Sequence, residues 1–93
     1  MKYPCVIEEQ GSVYGVIFPD LPGCYPSGES LEGALEDARE AASFWMESMR
    51  DLGREIPRPS TLESIRENPE FRGRLVRVVD VELPEGARQQ VAA

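Results

Sequence analysis

The first eighteen residues read as two apolar strands either side of a polar turn, and the period then changes. Lys2–Glu8 places Tyr3, Cys5 and Ile7 on one face with β-branched Val6 on the other, which predicts a strand. Pro4 cannot donate to a ladder, so this strand is expected at a sheet edge, at least near its start. Glu9–Ser12 reads as a turn, with Gly11 supplying the positive φ of a hairpin loop. Val13–Phe18 returns with Val13, Gly15 and Ile17 on one face and Tyr14, Val16 and Phe18 on the other. Both faces are apolar, so the strand is expected to be central or covered on both sides.

Three prolines and two glycines then fall within Pro19–Glu29 and forbid a helix. Pro22-Gly23 marks a turn, and Cys24–Ser27 offers a short third strand. From Leu31 to Leu52 the period becomes helical. Leu31, Ala34, Leu35, Ala38, Ala41, Ala42, Trp45, Met49 and Leu52 form the apolar stripe. Ser30 is the expected N-cap. Gly33 at N3 leaves the capping box without its reciprocal bond, and Gly53 follows as the C′ residue. Trp45 and Met49 are expected in the core, whereas Phe44 and Met46 flank the stripe and Phe44 is a candidate for an oligomer contact.

Arg54–Pro59 reads as an extended link. Ser60-Thr61-Leu62-Glu63 is read as a capping box that opens a short helix, Thr61–Glu67, closed by Asn68-Pro69. Leu75–Leu83 is the last strand, with Leu75, Val79, Val81 and Leu83 on one face and Val76 and Val78 on the other. Residues 84–93 are expected to be a loose tail. The order ββ(β)αβ predicts one α+β domain over residues 1–83. Its small antiparallel-rich sheet has three or four strands, with one long helix on one face. That leaves the other sheet face short of cover, which predicts a homo-oligomer, at least a dimer, meeting through the sheet or a strand edge.

Composition narrows the chemistry. The chain has 93 residues, a net charge of −7 and no histidine. Residues 1–57 hold four basic and eleven acidic side chains, while residues 58–93 hold six of each, so the acidity belongs to the hairpin and long helix. No basic patch suggests nucleic-acid binding, and specific DNA binding by this chain alone is not expected. The bland reading of an acidic face is solubility, and the sharper alternative is steering of a basic partner. With two cysteines, no C-x-x-C and no histidine, a zinc site is nearly excluded. Cys5 and Cys24 are read as buried, reduced thiols. No basic-then-apolar leader precedes the first strand, which points to the cytosol, with no membrane association. Glu8 and Asp20 sit at strand ends without evident partners. No carboxylate cluster for metal-dependent nuclease chemistry is seen, so neither an enzyme nor a cofactor is expected.

The strand ending in Phe18-Pro19-Asp20-Leu21-Pro22-Gly23-Cys24 leads through Ser27-Gly28-Glu29-Ser30 into a helix carrying Glu32, Ala34, Ala38, Glu40 and Ala41. With the later Pro57-Arg58-Pro59-Ser60 link, this run resembles the N-terminal domain of HicB-type antitoxins, over roughly residues 3–83. The resemblance implies a partial RNase H-like fold. It also implies a binding protein that neutralises a HicA-type toxin, a small basic mRNA-cleaving protein with a double-stranded-RNA-binding fold. Members of that family usually add a helix-turn-helix or ribbon-helix-helix module, and the ten residues after Leu83 are too few for either.

The candidate partner-binding residues are Phe18, Pro19, Asp20, Leu21, Pro22 and Gly23 of the corner, with Glu36 and Glu40 of the helix. For the corner the alternative is a rigid turn in which Asp20 bonds local backbone. Two other functions stay open beside the antitoxin. One is an oligomeric interaction domain without a toxin, and the other is a degenerate nuclease.

Overall fold

Strands β1 (Lys2–Gln10) and β2 (Val13–Ile17) fold back on each other through Gly11-Ser12 in a computed structural model that describes residues 1–91. Gly11 has φ 62°, the left-handed geometry that a two-residue hairpin loop needs. Register runs from Gln10↔Val13 to Val6↔Ile17. A two-residue strand β3 (Ser27–Gly28) adds to β2 opposite Tyr14 and Gly15. Strand β4 (Leu75–Asp80) adds to the other side of β1. The sheet is antiparallel throughout, in the order β3-β2-β1-β4.

So β1 is an interior strand, not the edge strand that Pro4 suggested. The proline is accommodated by stagger. Pairing with β2 stops at Val6, and at Pro4 the only neighbour is Val78 of β4. The third strand is shorter and later than the expected Cys24–Ser27. The last strand stops at Asp80 instead of Leu83, although Val81 still donates its N–H to the Met1 carbonyl at 2.7 Å.

Helix α1 (Leu31–Asp51) begins where Ser30 accepts the Gly33 N–H at 3.0 Å. It ends at Leu52, and Gly53 follows at φ 70°. The buried seam is Ala34, Ala38, Ala42 and Met46. It faces Tyr3, Cys5, Ile7, Val16, Phe18, Val79 and Val81, which form the principal core with Leu21, Cys24 and Ile56. This seam is rotated from the expected stripe. Met46 is fully buried, Trp45 and Met49 only flank the core, and Leu52 is 65% exposed. Small residues at i, i+4 spacing let the helix settle directly on the sheet, and the larger side chains close its margins.

Gly28 shows how tight this approach is, because a Cβ there would lie 2.5 Å from the Ala34 nitrogen. The buried residues among those described are apolar save for the Tyr3 hydroxyl, so apolar burial is the main force holding the core.

The opposite sheet face has a lighter cover. Val6 points away from α1 yet is fully buried, outside the principal core. After α1 the chain returns to β4 through helix α2 (Leu62–Glu67), whose one buried residue is Ile65, also outside the principal core. The expected capping box is displaced by one residue. Thr61, not Ser60, caps α2 by accepting the Ser64 N–H, because Ser60 is taken by Asp20.

The expected loose tail lies instead against the link, as far as it is described. Ile56 pairs with Gln89, its N–H reaches the Arg88 carbonyl at 2.7 Å, and its carbonyl accepts the Gln90 N–H at 2.8 Å. The Tyr3 hydroxyl donates to the Pro57 carbonyl at 2.7 Å and ties the same link to β1. Residues 92 and 93, part of that expected tail, lie outside the described residues. Among the described residues no helix is long and apolar enough to cross a membrane.

Candidate functional site

The Pro19–Cys24 corner divides into an inward half and an outward half. Phe18 and Leu21 are 2% and 0% exposed, so these two partner-binding candidates are core residues and offer no contact surface. Successive turns explain this. The Leu21 N–H reaches the Phe18 carbonyl and the Cys24 N–H reaches the Leu21 carbonyl, each at 3.1 Å, which folds the apolar members inward. Asp20 does not bond local backbone. It accepts the Ser60 hydroxyl at 2.5 Å and the Ser60 N–H at 2.9 Å, joining the corner to the start of α2. Pro19 is half-buried, and Pro22 and Gly23 are exposed. The Pro22 carbonyl accepts the Trp45 indole N–H at 3.0 Å, which fixes the outward half against α1.

Glu36 and Glu40 are exposed one turn apart on α1. The helix as a whole carries six acidic and two basic side chains, and Arg39 shares a concavity with Glu32 and Glu36. Arg39 lies with Met1, Asp80 and Glu82 on one flank. Arg50 bonds Asp51 at 3.1 Å and the Glu85 carbonyl at 3.2 Å.

On the flank nearest the corner, Phe44 and Tyr25 are 71% and 70% exposed. They border an open groove of about 430 Å³ that is also lined by Cys24, Asp37, Ala41 and Trp45. The structure therefore brings Pro22 and Gly23 beside α1, with Glu40 one turn from Phe44. Sequence reasoning flagged Phe44 and missed Tyr25. The available signal was an aromatic between two small residues of a proline-rich loop, where Cys24 and Pro26 turn in and Tyr25 turns out.

The remaining chemistry is quiet. Cys5 and Cys24 are free, buried thiols. Burial pushes Cys5 up to about 11. Burial, and then the nearby Asp37 carboxylate, raises Cys24 as well. Both thiols stay protonated and poorly nucleophilic at neutral pH. Burial likewise raises the Tyr3 phenol. Glu8, one of the two carboxylates weighed for nuclease chemistry, is paired with Arg74, and the other, Asp20, is held by Ser60. Among the described residues no three His, Cys, Asp or Glu side chains gather as a metal site would require.

This arrangement has known relatives. Residues 3–92 match the family described as the HicB-like antitoxin of bacterial toxin–antitoxin systems. An uncharacterised 14.9 kDa protein from the rep–hol intergenic region of Haemophilus phage HP1 is 40% identical over 83 residues. That match covers 89% of this chain but 62% of the phage protein, so the chain spans less than two thirds of that relative's length. The N-terminal domain of Burkholderia pseudomallei antitoxin HicB superposes with a TM-score of 0.81 at 35% identity, covering 89% of this chain and all (100%) of that one. A chain from the HicA3 and HicB3 toxin–antitoxin complex shares the fold, with a TM-score of 0.77 at 24% identity over 88% of this chain and 99% of that one. The match over nearly the whole sequence, together with the four-stranded sheet under one long helix, identifies this chain as a member of the HicB-like antitoxin family.

Proposed function

We propose that this chain is a non-catalytic antitoxin that binds and neutralises a small, basic, mRNA-cleaving toxin of the HicA type. The observation that carries this reading is the exposed flank of α1. There an excess of carboxylates lies beside two exposed aromatic rings, a surface suited to a cationic protein. Family membership supports it, and so does a neighbour of the same fold solved in a complex with HicA3.

Co-expression with a small basic toxin of the HicA type is the test. The wild-type chain should relieve the toxin's growth arrest and copurify with it. A Glu36→Lys/Glu40→Lys variant should do so less well. Undiminished arrest, with both proteins present in soluble form, would remove the toxin and leave an interaction domain of other purpose. Mg²⁺-dependent RNA cleavage by the purified chain, above a heat-killed control, would replace binding with catalysis.

The same reading includes a homo-oligomer. Val13 and Val78 are 44% and 41% exposed on the sheet face away from α1. A second copy would bury them. Val16 faces α1 and is no part of this surface. Light scattering at micromolar concentration should give at least a dimer mass, reduced by Val78→Glu. A monomer mass that persists as concentration rises would show that this face needs no second copy.

A further inference from the structure

The groove between the outward corner and α1 is set apart from the other concavities described by three aromatic rings in its lining. One near the start of α1 is slightly larger, about 490 Å³, but it has no aromatic ring in its lining, and there Arg39 stands with Glu32 and Glu36. The groove beside Phe44 has three aromatic neighbours, Tyr25, Phe44 and Trp45, and one carboxylate, Asp37, with no cation in its lining. Both cations of α1 are turned elsewhere, Arg39 to the opposite flank and Arg50 to the tail.

We propose that this groove receives a single arginine side chain presented by a protein partner. The identity of the partner rests on the antitoxin reading above, while the chemistry of the groove does not. An apolar side chain would fill the space between the rings and strip water from Asp37 without replacing it. A guanidinium meets both demands. Its plane stacks on an aromatic face, its methylene stem lies along apolar surface, and its fork bonds a carboxylate. A lysine ammonium meets them less well, because it is compact and strongly hydrated.

Asp37 is already oriented for this. Its Oδ2 accepts the Ser27 N–H at 3.1 Å, and its Oδ1 accepts no hydrogen bond from the described residues. The Trp45 ring is likewise fixed through its bond to Pro22, so the groove needs little ordering to bind. Glu40, one turn from both Asp37 and Phe44 on α1, adds negative potential at the mouth.

The test is a titration of the ¹⁵N-labelled chain with acetyl-Gly-Arg-Gly-amide, with the lysine and glutamate tripeptides as controls. Trp45 is the only tryptophan, so its indole N–H is an unambiguous reporter at the groove. The arginine peptide should shift that signal and the Tyr25 and Asp37 amides in a saturable way. The lysine peptide should do so more weakly and the glutamate peptide not at all. Phe44→Ala removes a ring that is 71% exposed, so the fold should be kept, and arginine binding should weaken about two- to fivefold. An arginine response absent from Trp45, equal for lysine, or unchanged in Phe44→Ala overturns the proposal. The toxin reading fails separately, because intact arginine binding without relief of growth arrest removes the toxin alone. Relief without an arginine response removes the groove alone.

Discussion

On one face of the sheet lies a helix of 21 residues with a seam of four buried side chains. The return to β4 carries a helix of six residues with one buried side chain, Ile65, outside the principal core. The long helix is placed by its own periodicity, since successive turns add Ala34, Ala38, Ala42 and Met46 to the same row. The short helix is far below the length at which a helix is stable in isolation. It is placed by tertiary bonds, chiefly the Asp20–Ser60 pair that spans 40 residues of chain. One helix is thus specified locally and the other at a distance, and perturbations of the two should differ in size and in reach.

The widest gap should appear in core truncation. Phe18→Ala, under α1, should cost about 3–5 kcal/mol, and Ile65→Ala, under α2, should lie near the lower end of its range at about 2 kcal/mol. Urea unfolding of the two variants measures both. Equal losses would mean that the short helix carries as much of the fold as the long one.

Next in size is a pH effect confined to the heavier face. The Cys5 thiol ionises at about 11 in the folded chain, against an ordinary value of 9.0. Between those values the unfolded chain has released a proton that the folded chain keeps. Stability is therefore undiminished below pH 9 and falls as pH rises toward 11. The loss is about 2–3 kcal/mol, with Cys24 and Tyr3 adding in the same direction. Melting temperatures from pH 8 to 11 should fall, and Cys5→Ala should flatten the slope. A wild-type profile that is already flat would place the thiol in contact with water.

The smallest expected effect is the most local. Asp20→Ala removes both bonds to Ser60 and should cost about 1–2 kcal/mol. Amide exchange should accelerate in α2 while the amides of β1 under α1 keep their protection. Uniform acceleration would erase the distinction between the two helices.

What could be read in advance follows the same division. The hairpin, the Ser30 cap, the long helix and its Gly53 stop were legible because each depends on residues within one turn or one loop of each other. The position of β1 was not. Pro4 is compatible with an interior strand only because β2 pairing ends at Val6, a stagger that no local pattern encodes. The Ser60 cap was misassigned for a similar reason. Its local alternative, capping α2, lost to a carboxylate far away in sequence. The exposed flank of α1 was foreseen as acidic, and Glu36 and Glu40 do lie there. Phe18 and Leu21 misled, because a proline-rich corner with apolar members reads the same whether those members point in or out. Trp45 went to the margin because its indole N–H needs an acceptor, which the alanine seam does not offer and the Pro22 carbonyl does.

The contact of Gly28 with Ala34 limits how this protein can change. The atoms that a Cβ at position 28 would strike are the backbone nitrogen and Cα of Ala34, and the Gly33 carbonyl carbon. They belong to the main chain, so no second substitution can shrink them and restore the fit. Most tight spots in a core can be relieved by trimming the opposing side chain, and compensating pairs then drift together. Here no such partner exists. A variant at this position must tilt the first turn of α1, and the shift would reach Asp37 and the groove beside it. A screen for suppressors of a Gly28 substitution should therefore return revertants to glycine rather than changes elsewhere.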